Sequence, residues 1–440
     1  MKLVVSSAGL SLWTLVAAAA GPPFLGNGIK IGEVTAGTAV IWARLTETPN
    51  CKPPQFKQPG ATGEVRLTVK EEAGDGVITR TAGVDPRRDF THQFVLTGLK
   101  PATAYQVSVT PGDAEDRSVR GRFTTAAAPD RAARVVFTVT TGHKFKTIDD
   151  PGRGQKIYPA MLALEPSFFV HTGDIVYYDG DLEPMGATVG KARLHWHRMY
   201  SLPNQIAFHR QTPSYFIKDD HDTLKNDCWP GQTYGELTFE EGRAIFREQV
   251  PMGGKTYRTI RWGKDLQVWL PEGRDFRSPN TMPDGPDKTI WGGEQIAWFK
   301  RTVEQSDATF RILVSPTPVV GPDRARGKND NHANAAFRRE GDMLRRFLAG
   351  HDMIVCSGDR HWQYHSVDAE TGLMEFCCGP STNRHAGGWN PDKVTSEHRF
   401  LRVRGGFLSV TVERIDGTPT AAFRHHDVDG KSVNEVRLTR

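Results

Sequence analysis

Apolar and polar residues alternate with a period of two along the first quarter of this chain. Thr38-Ala39-Val40-Ile41-Trp42-Ala43-Arg44, Gly63 to Val69, His92 to Leu96 and Ala104 to Val109 all follow it, the pattern of strands with one buried face. Clusters at Pro53-Pro54, Gly74-Asp75-Gly76, Asp85-Pro86 and Pro111-Gly112-Asp113 separate the runs and predict turns. Short strands at this spacing predict an all-β sandwich over residues 25–127. The stretch holds no cluster of His, Cys or carboxylates, so its expected role is structural or docking. Thr124 to Asp130 reads as a linker.

From residue 131 to 440 the rhythm changes. Arg134 to Thr140, Ser167 to Val170, Pro213 to Ile217, Leu266 to Leu270, Phe310 to Val314 and Asp352 to Ser357 are short apolar runs, as strands buried on both faces require. Helical spacing intervenes at Ile157, Met161 and Leu164, from Phe239 to Val250 and from Glu294 to Gln305. This alternation predicts βαβ units and an α/β fold. The tail from Gly406 is β again and is expected to pair onto the sheet.

The ends of these runs carry the chemistry. They read Thr141-Gly142-His143, Gly173-Asp174-x-x-Tyr177, Asp219-Asp220-His221-Asp222, Glu272-Gly273-Arg274 and Gly358-Asp359-Arg360-His361. Open α/β sheets bind ligands just past the carboxyl ends of their strands. Carboxylates suit Mg, Ca or Mn, imidazoles suit Zn or Fe, and a tyrosinate suits Fe(III). Two ions about 4 Å apart can clamp the attacking and leaving oxygens of a phosphoryl displacement, and Asp174 is the natural bridge between them. Asp219 and Asp222 either orient His221 or bind metal. His365 has a supporting place at most.

The N-terminus adds a location. Met1-Lys2 precedes an apolar, small-residue stretch that ends in Ala17 to Ala20 before Gly21-Pro22-Pro23. These are the features of a cleaved export signal over residues 1–20, so a secreted or periplasmic protein is expected. No later run approaches the roughly 20 apolar residues of a spanning helix. The net charge of +5 over 440 residues is mild; it suits a small anionic substrate and does not suggest a nucleic-acid-binding tail. Five cysteines are too few, and odd in number, for a disulfide scaffold. His195-Trp196-His197 reads as surface and Arg324 to Lys328 as a solvated basic loop, while Asp179 to Gly190 reads as a substrate-shaping segment.

The motifs also carry a resemblance. Gly-Asp-x-x-Tyr at 173–177, Asp-Asp-His-Asp at 219–222 with Asn226-Asp227 after it, Arg274 to Ser278, and Ser-Gly-Asp-x-His at 357–361 occur in the order of the alkaline phosphatase D (PhoD-like) family. These are calcineurin-like metallophosphatases related to the purple acid phosphatases. The resemblance implies an α/β catalytic domain of the α+β four-layer sandwich type, preceded by an all-β fibronectin type III-like domain. It implies a phosphomonoesterase or phosphodiesterase in which a hydroxide held by two metals attacks phosphorus. His143, Asp174, Tyr177, Asp220, Asp359 and His361 would be the metal ligands, with Fe, Ca, Zn or Mn as the ions. His221 would stabilise the phosphoryl group or protonate the leaving group, and Arg274 would hold a phosphate oxygen.

The chain departs from the family at two places. Thr140-Thr141-Gly142-His143 replaces a Ser-Cys pair whose Cys binds iron, and Glu272 stands in place of an Asp. The rival reading is a non-catalytic exported binding protein on the same fold, its chemistry lost with the change at Thr141.

Overall fold

The computed structural model describes residues 21, 23–51, 57–324 and 328–440; the segment read as an export signal lies outside the described residues. In chain order the N-terminal strands are β1 (Ile29–Gly32), β2 (Thr38–Arg44), β3 (Glu64–Glu71), β4 (Val77–Gly83), β5 (Thr91–Thr97), β6 (Ala104–Pro111) and β7 (Val119–Thr124). Antiparallel pairing in the order β4-β3-β6-β7 makes one sheet. Val65, Leu67, Val69, Val107 and Val109 fill its inner face, and Arg66, Thr68 and Lys70 alternate with them to the outside, as period-two patterning requires.

Next come β8 (Val135–Thr140), α1 (Ile157–Leu162), β9 (Phe168–His171), α2 (Val189–Met199), α3 (Pro203–His209) and β10 (Ser214–Phe216). They are followed by β11 (Thr233–Tyr234), β12 (Leu237–Thr238), α4 (Phe239–Gln249), β13 (Arg258–Trp262), β14 (Leu266–Leu270), α5 (Gly293–Glu304) and β15 (Phe310–Ser315). The chain ends with α6 (Arg338–Gly350), β16 (Ile354–Ser357), β17 (Gln363–Val367), β18 (Met374–Cys378), β19 (His398–Arg402), β20 (Gly406–Ile415), β21 (Thr418–Asp427) and β22 (Ser432–Thr439).

Two large sheets face each other. One has nine strands, in the order β22-β21-β20-β8-β9-β10-β1-β2-β5; the other has seven, β13-β14-β15-β16-β18-β17-β19. Phe137, Phe168, Val170, Leu408 and Val410 of the first share a core with Val268, Ile312, Val314 and Ile354 of the second. Phe168 stacks on Trp262, and Phe376 on Phe423, across the seam. Outside, Trp196, Ile245 and Phe246 of α2 and α4 cover one sheet, and Phe299, Leu344 and Leu348 of α5 and α6 cover the other. The result is the expected four-layer arrangement of helix, sheet, sheet and helix. The tail strand β20 pairs with β8, as its sequence suggests. Helix α4 opens on a capping box between Thr238 and Glu241.

The N-terminal part is less separate than its composition implies. Strand β1 runs parallel to β10, with Gly32 opposite Ser214, so β1, β2 and β5 extend the nine-stranded sheet. Polar anchors reinforce the join: Lys30 Nζ donates to Gln249 O at 2.7 Å and Trp42 Nε1 to Glu248 O at 2.8 Å. Asp89 is the main buried knot there. It accepts from Arg44 at 3.0 Å through both carboxylate oxygens, from His197 Nε2 at 2.5 Å and from Gln249 Nε2 at 2.7 Å.

His195 and His197 are therefore buried, not on the surface. Their rings are used up in hydrogen bonds to Pro184 O and Asp89. Among the described residues no helix is long and apolar enough to cross a membrane, and Cys228, Cys356, Cys377 and Cys378 are buried free thiols, as expected for Cys356.

Candidate active site

The acids and imidazoles of three strand ends meet in one pocket of about 290 Å³. Asp174 follows β9 and Asp220 follows β10, both in the nine-stranded sheet, whereas Asp359 and His361 follow β16 of the facing sheet. The site therefore sits where the two sheets open at the same edge. Asp174 and Asp359 both adopt left-handed backbone, φ 56° and 60°, which Asp tolerates better than most residues. At Gly173 (φ 103°) a Cβ would lie 2.6 Å from the backbone nitrogen of Asp219, so only glycine lets the two acid-bearing loops touch.

Thr141 joins the sheets. Its hydroxyl donates to Gly173 O and accepts from Asp359 N, each at 3.2 Å. Thr141 thus cross-links the two loops that carry Asp174 and Asp359.

Ligand atoms of Asp174, Asp220 and His221 all lie within 4.8 Å of one another. Tyr177 Oη donates to Asp174 Oδ2 at 2.6 Å and lies 3.2 Å from His361 Nε2; His361 Nε2 is 3.6 Å from the same Asp174 oxygen. Burial pushes the Asp174 carboxyl up to about 7, with Asp220 adding and His221 opposing. Burial likewise pushes Asp359 up to about 8, against the pull of Arg360. Asp220 is held well below the usual carboxylate range because Arg274 and His221 outweigh the cost of its burial. Burial brings His361 down to about 3, leaving a neutral ring with a lone pair. Asp174 Oδ1 accepts no hydrogen bond from the described residues, and Asp359 Oδ2 is paired with Arg360 Nη1 at 2.6 Å. Three buried carboxylates with spare oxygen lone pairs, beside a neutral imidazole and a phenol, fit a cation of the Fe, Zn, Mn or Ca kind.

His221 is held from behind. Its Nδ1 meets Asp179 Oδ1 at 2.5 Å and its ring lies 4.2 Å from that of Tyr177. Burial disfavours its charge, but Asp220, Asp174 and Asp179 together raise it to about 10. Asp179 also accepts from Asn226 N at 2.7 Å. Asp179→Asn should lower kcat by roughly ten- to a hundredfold with little change in KM, the usual cost of losing an orienting partner; steady-state kinetics checks this.

Two residues expected at the site are placed elsewhere. The His143 ring stacks on Tyr158 at 5.4 Å and hydrogen bonds to His171 through Nδ1. It does not line the pocket. Arg274 is fully buried behind Asp219, whose Oδ1 lies 2.6 Å from its Nε and 2.5 Å from its Nη2; Nη1 donates to Cys228 O at 3.3 Å. Held in this way, with Nη2 also 3.9 Å from Asp220 Oδ1, the guanidinium braces the acid loop from below. Glu272 accepts from Arg274 N at 2.7 Å and pairs with Lys218 at 2.5 Å. Asp222 accepts from Asp219 N at 2.7 Å and Ile175 N at 3.1 Å, so neither acid flanking Asp220-His221 serves His221 directly. His365 lies on β17, stacked on Phe376.

Other residues line the pocket without a motif to announce them. His385 is one: its ring is 4.0 Å from that of His361, and its Nδ1 meets Gly142 O at 3.0 Å. Arg324 and Lys328, read from sequence as a solvated loop, also line it, together with Trp362 and with Asn226, which the Asn226-Asp227 motif marks. Lys328 Nζ is held 3.1 Å from Asp227 Oδ1. Residues 325–327 between them lie outside the described residues.

Comparison with known proteins agrees with this geometry. Residues 137–404 match the family model for PhoD-like phosphatase, and residues 11–127 match the model for the N-terminal domain of the same family. The solved structure of PhoD is similar at 16% identity, covering 96% of this chain and 90% of that one with a TM-score of 0.75. A purple acid phosphatase from yellow lupin (Lupinus luteus) seeds is similar at 12% identity, covering 95% of this chain and 74% of its own, with a TM-score of 0.68. No curated protein matches the sequence. With both segments matched in order and the acids gathered at one sheet edge, the chain belongs to the PhoD-like phosphatase family of metal-dependent phosphoester hydrolases.

Proposed function

We propose that this pocket hydrolyses phosphate esters, mono- or diesters, with a pair of metal ions in an exported protein. The observation that carries the reading is the convergence of Asp174, Tyr177, Asp220, Asp359 and His361 from separate strand ends. Asp174 would bridge the two positions, using one oxygen for each. Tyr177 and His361 would hold the first ion, with His385 in the place that sequence gave to His143. Asp220 and Asp359 would hold the second. Bound there, the ions supply Lewis acidity to the phosphoryl oxygens and lower the pKa of water until it is a nucleophile.

The chain's own groups do the rest. Lys328, Arg324 and Asn226 draw the anionic ester into the pocket and fix its free oxygens. His221, its Nδ1 locked by Asp179, offers Nε2 to a phosphoryl oxygen or hands a proton to the leaving alkoxide. Arg274 and Thr141 keep the acid loops in place. Export rests on the sequence of residues 1–20.

Metal analysis of the purified protein, with turnover of p-nitrophenyl phosphate and bis-p-nitrophenyl phosphate, tests the reading. Full metal occupancy without hydrolysis of either ester would replace it with a non-catalytic binding role. Tyr177 makes a second test available. If the first ion is Fe(III), the holoprotein absorbs visible light through phenolate charge transfer, and Tyr177→Phe is colourless. A colourless, fully active wild type assigns the position to Zn, Mn or Ca.

A further inference from the structure

The outer face of the β4-β3-β6-β7 sheet is a cationic groove. It forms a cleft of about 680 Å³ that includes Arg66, Lys70, Arg120, Arg122 and Arg210, with Glu72 and Glu115 in its lining and Asp113 beside Arg66 opposing them. Five cations against three carboxylates is a local excess of positive charge in a chain whose whole formal charge is +5. Strand register organises it: Lys70, Gln106 and Arg122 form one cross-strand row, and Thr68, Ser108 and Arg120 form the next.

Most of these groups are unused. Arg66 pairs with Glu115 and Asp113. No ion pair or side-chain hydrogen bond joins Lys70, Gln106, Ser108, Arg120 or Arg122 to the other described residues. Arg210 closes the rim from the end of α3, and its Nε is buried without a hydrogen-bond partner among the described residues. Unpaired like charges cost free energy through mutual repulsion. A concave sheet face that gathers them among Thr, Ser and Gln side chains is complementary to a flexible polyanion.

The shape narrows the choice. A second cleft of about 700 Å³ shares Glu72, Arg122 and Gln211 with the first, so the channel runs on along the seam between the two parts of the chain. No aromatic ring lines the first cleft, and Phe123 and Trp262, which border the second, are packed in the core. Grooves for single-stranded nucleic acid rely on exposed rings for base stacking, and this one presents none.

We infer that the N-terminal sheet carries a second anion site, distinct from the metal pocket, that binds a linear inorganic polyphosphate chain through its phosphate oxygens. The inference does not depend on turnover at the metal pocket.

Fluorescence anisotropy of labelled polyphosphate with the full chain tests it. Wild type should bind, with an affinity that falls linearly in log–log form as salt rises. The triple variant Lys70→Glu/Arg120→Glu/Arg122→Glu should bind at least about tenfold more weakly, since three phosphate contacts become repulsive. A milder Lys70→Gln/Arg120→Gln/Arg122→Gln variant should fall between them, which guards against misfolding of the first. Both should melt near the wild-type temperature and keep wild-type turnover of p-nitrophenyl phosphate, if the protein has that activity. The Asp174→Asn variant should bind polyphosphate normally. Unchanged affinity in the folded triple variant, or binding lost in Asp174→Asn, would overturn the second site. Tighter binding of an oligothymidylate of equal charge would overturn polyphosphate as its occupant.

Discussion

Asp174→Asn should reduce turnover of any phosphate ester by a thousandfold or more, about 4 kcal/mol or above of lost transition-state stabilisation, and should leave the purified protein depleted of metal. The amide keeps the size of the carboxylate and its tolerance for a backbone φ of 56°, so the loops around it should keep their path. What it loses is charge and one acceptor. One Asp174 oxygen accepts from Tyr177 at 2.6 Å and the other is unpartnered among the described residues, so little in the protein competes for the lone pairs that would hold the ions. An amide offers a single weak oxygen and cannot serve both. Since a buried unpaired carboxylate is costly, the metal-free variant should be at least as stable as metal-free wild type. Elemental analysis beside the kinetics separates the cases: wild-type metal content with turnover within tenfold would end the bridging assignment.

Asp89→Asn should destabilise the protein by roughly 3–5 kcal/mol, the usual result of removing one charge from a buried pair. Arg44 is buried beside it and uses its remaining donors on Asn27 and on Gln58 O, so the guanidinium has no other carboxylate to turn to. Burial works against the charged form of Asp89, and the His197 ring and Arg44 outweigh it, holding the carboxyl below its ordinary value. A depressed folded pKa gives stability that is complete above the unfolded pKa, about 3.9, and is lost as pH falls below it. Urea midpoints measured from pH 7 down to pH 3 should therefore drop for wild type below about pH 4, and the variant should be flatter over that window. Equal midpoints at pH 7 would mean that the knot is only local decoration.

Much of the site was legible because each strand end obeys one rule. A run buried on both faces must stop at the surface of its sheet, and an acid at that point has few structural reasons to be there. Gly173-Asp174 and Gly358-Asp359 are visible for this cause. Arg274 misled because a planar fork beside a phosphate site and one beneath an acid loop have the same sequence; only the position of Asp219 distinguishes them. His143 misled because Thr141-Gly142-His143 leaves β8 at a glycine with φ 62°, and the turn there carries the ring inward to His171.

His385 had no signal, since it arrives on a loop after β18 with no run of its own. Helix α6 was hidden by its composition: six of the thirteen residues from Arg338 to Gly350 are charged, and one of them, Glu340, shares the buried face with Gly341, Leu344 and Leu348. The pairing of β1 with β10 joins residues far apart in the chain, and no local pattern encodes a partner at that distance.

That pairing has a practical consequence for anyone who would cut the chain between its two matched segments. Removing residues before 131 would bare the flank of β10 and leave Tyr215 and Ile217 facing water, in place of the hydrocarbon of Ile29 and Ile31 with which they now share a core. An uncapped strand of this kind recruits other copies of itself. The phosphatase half alone is therefore expected to precipitate, and the whole molecule to lose structure in a single step on heating.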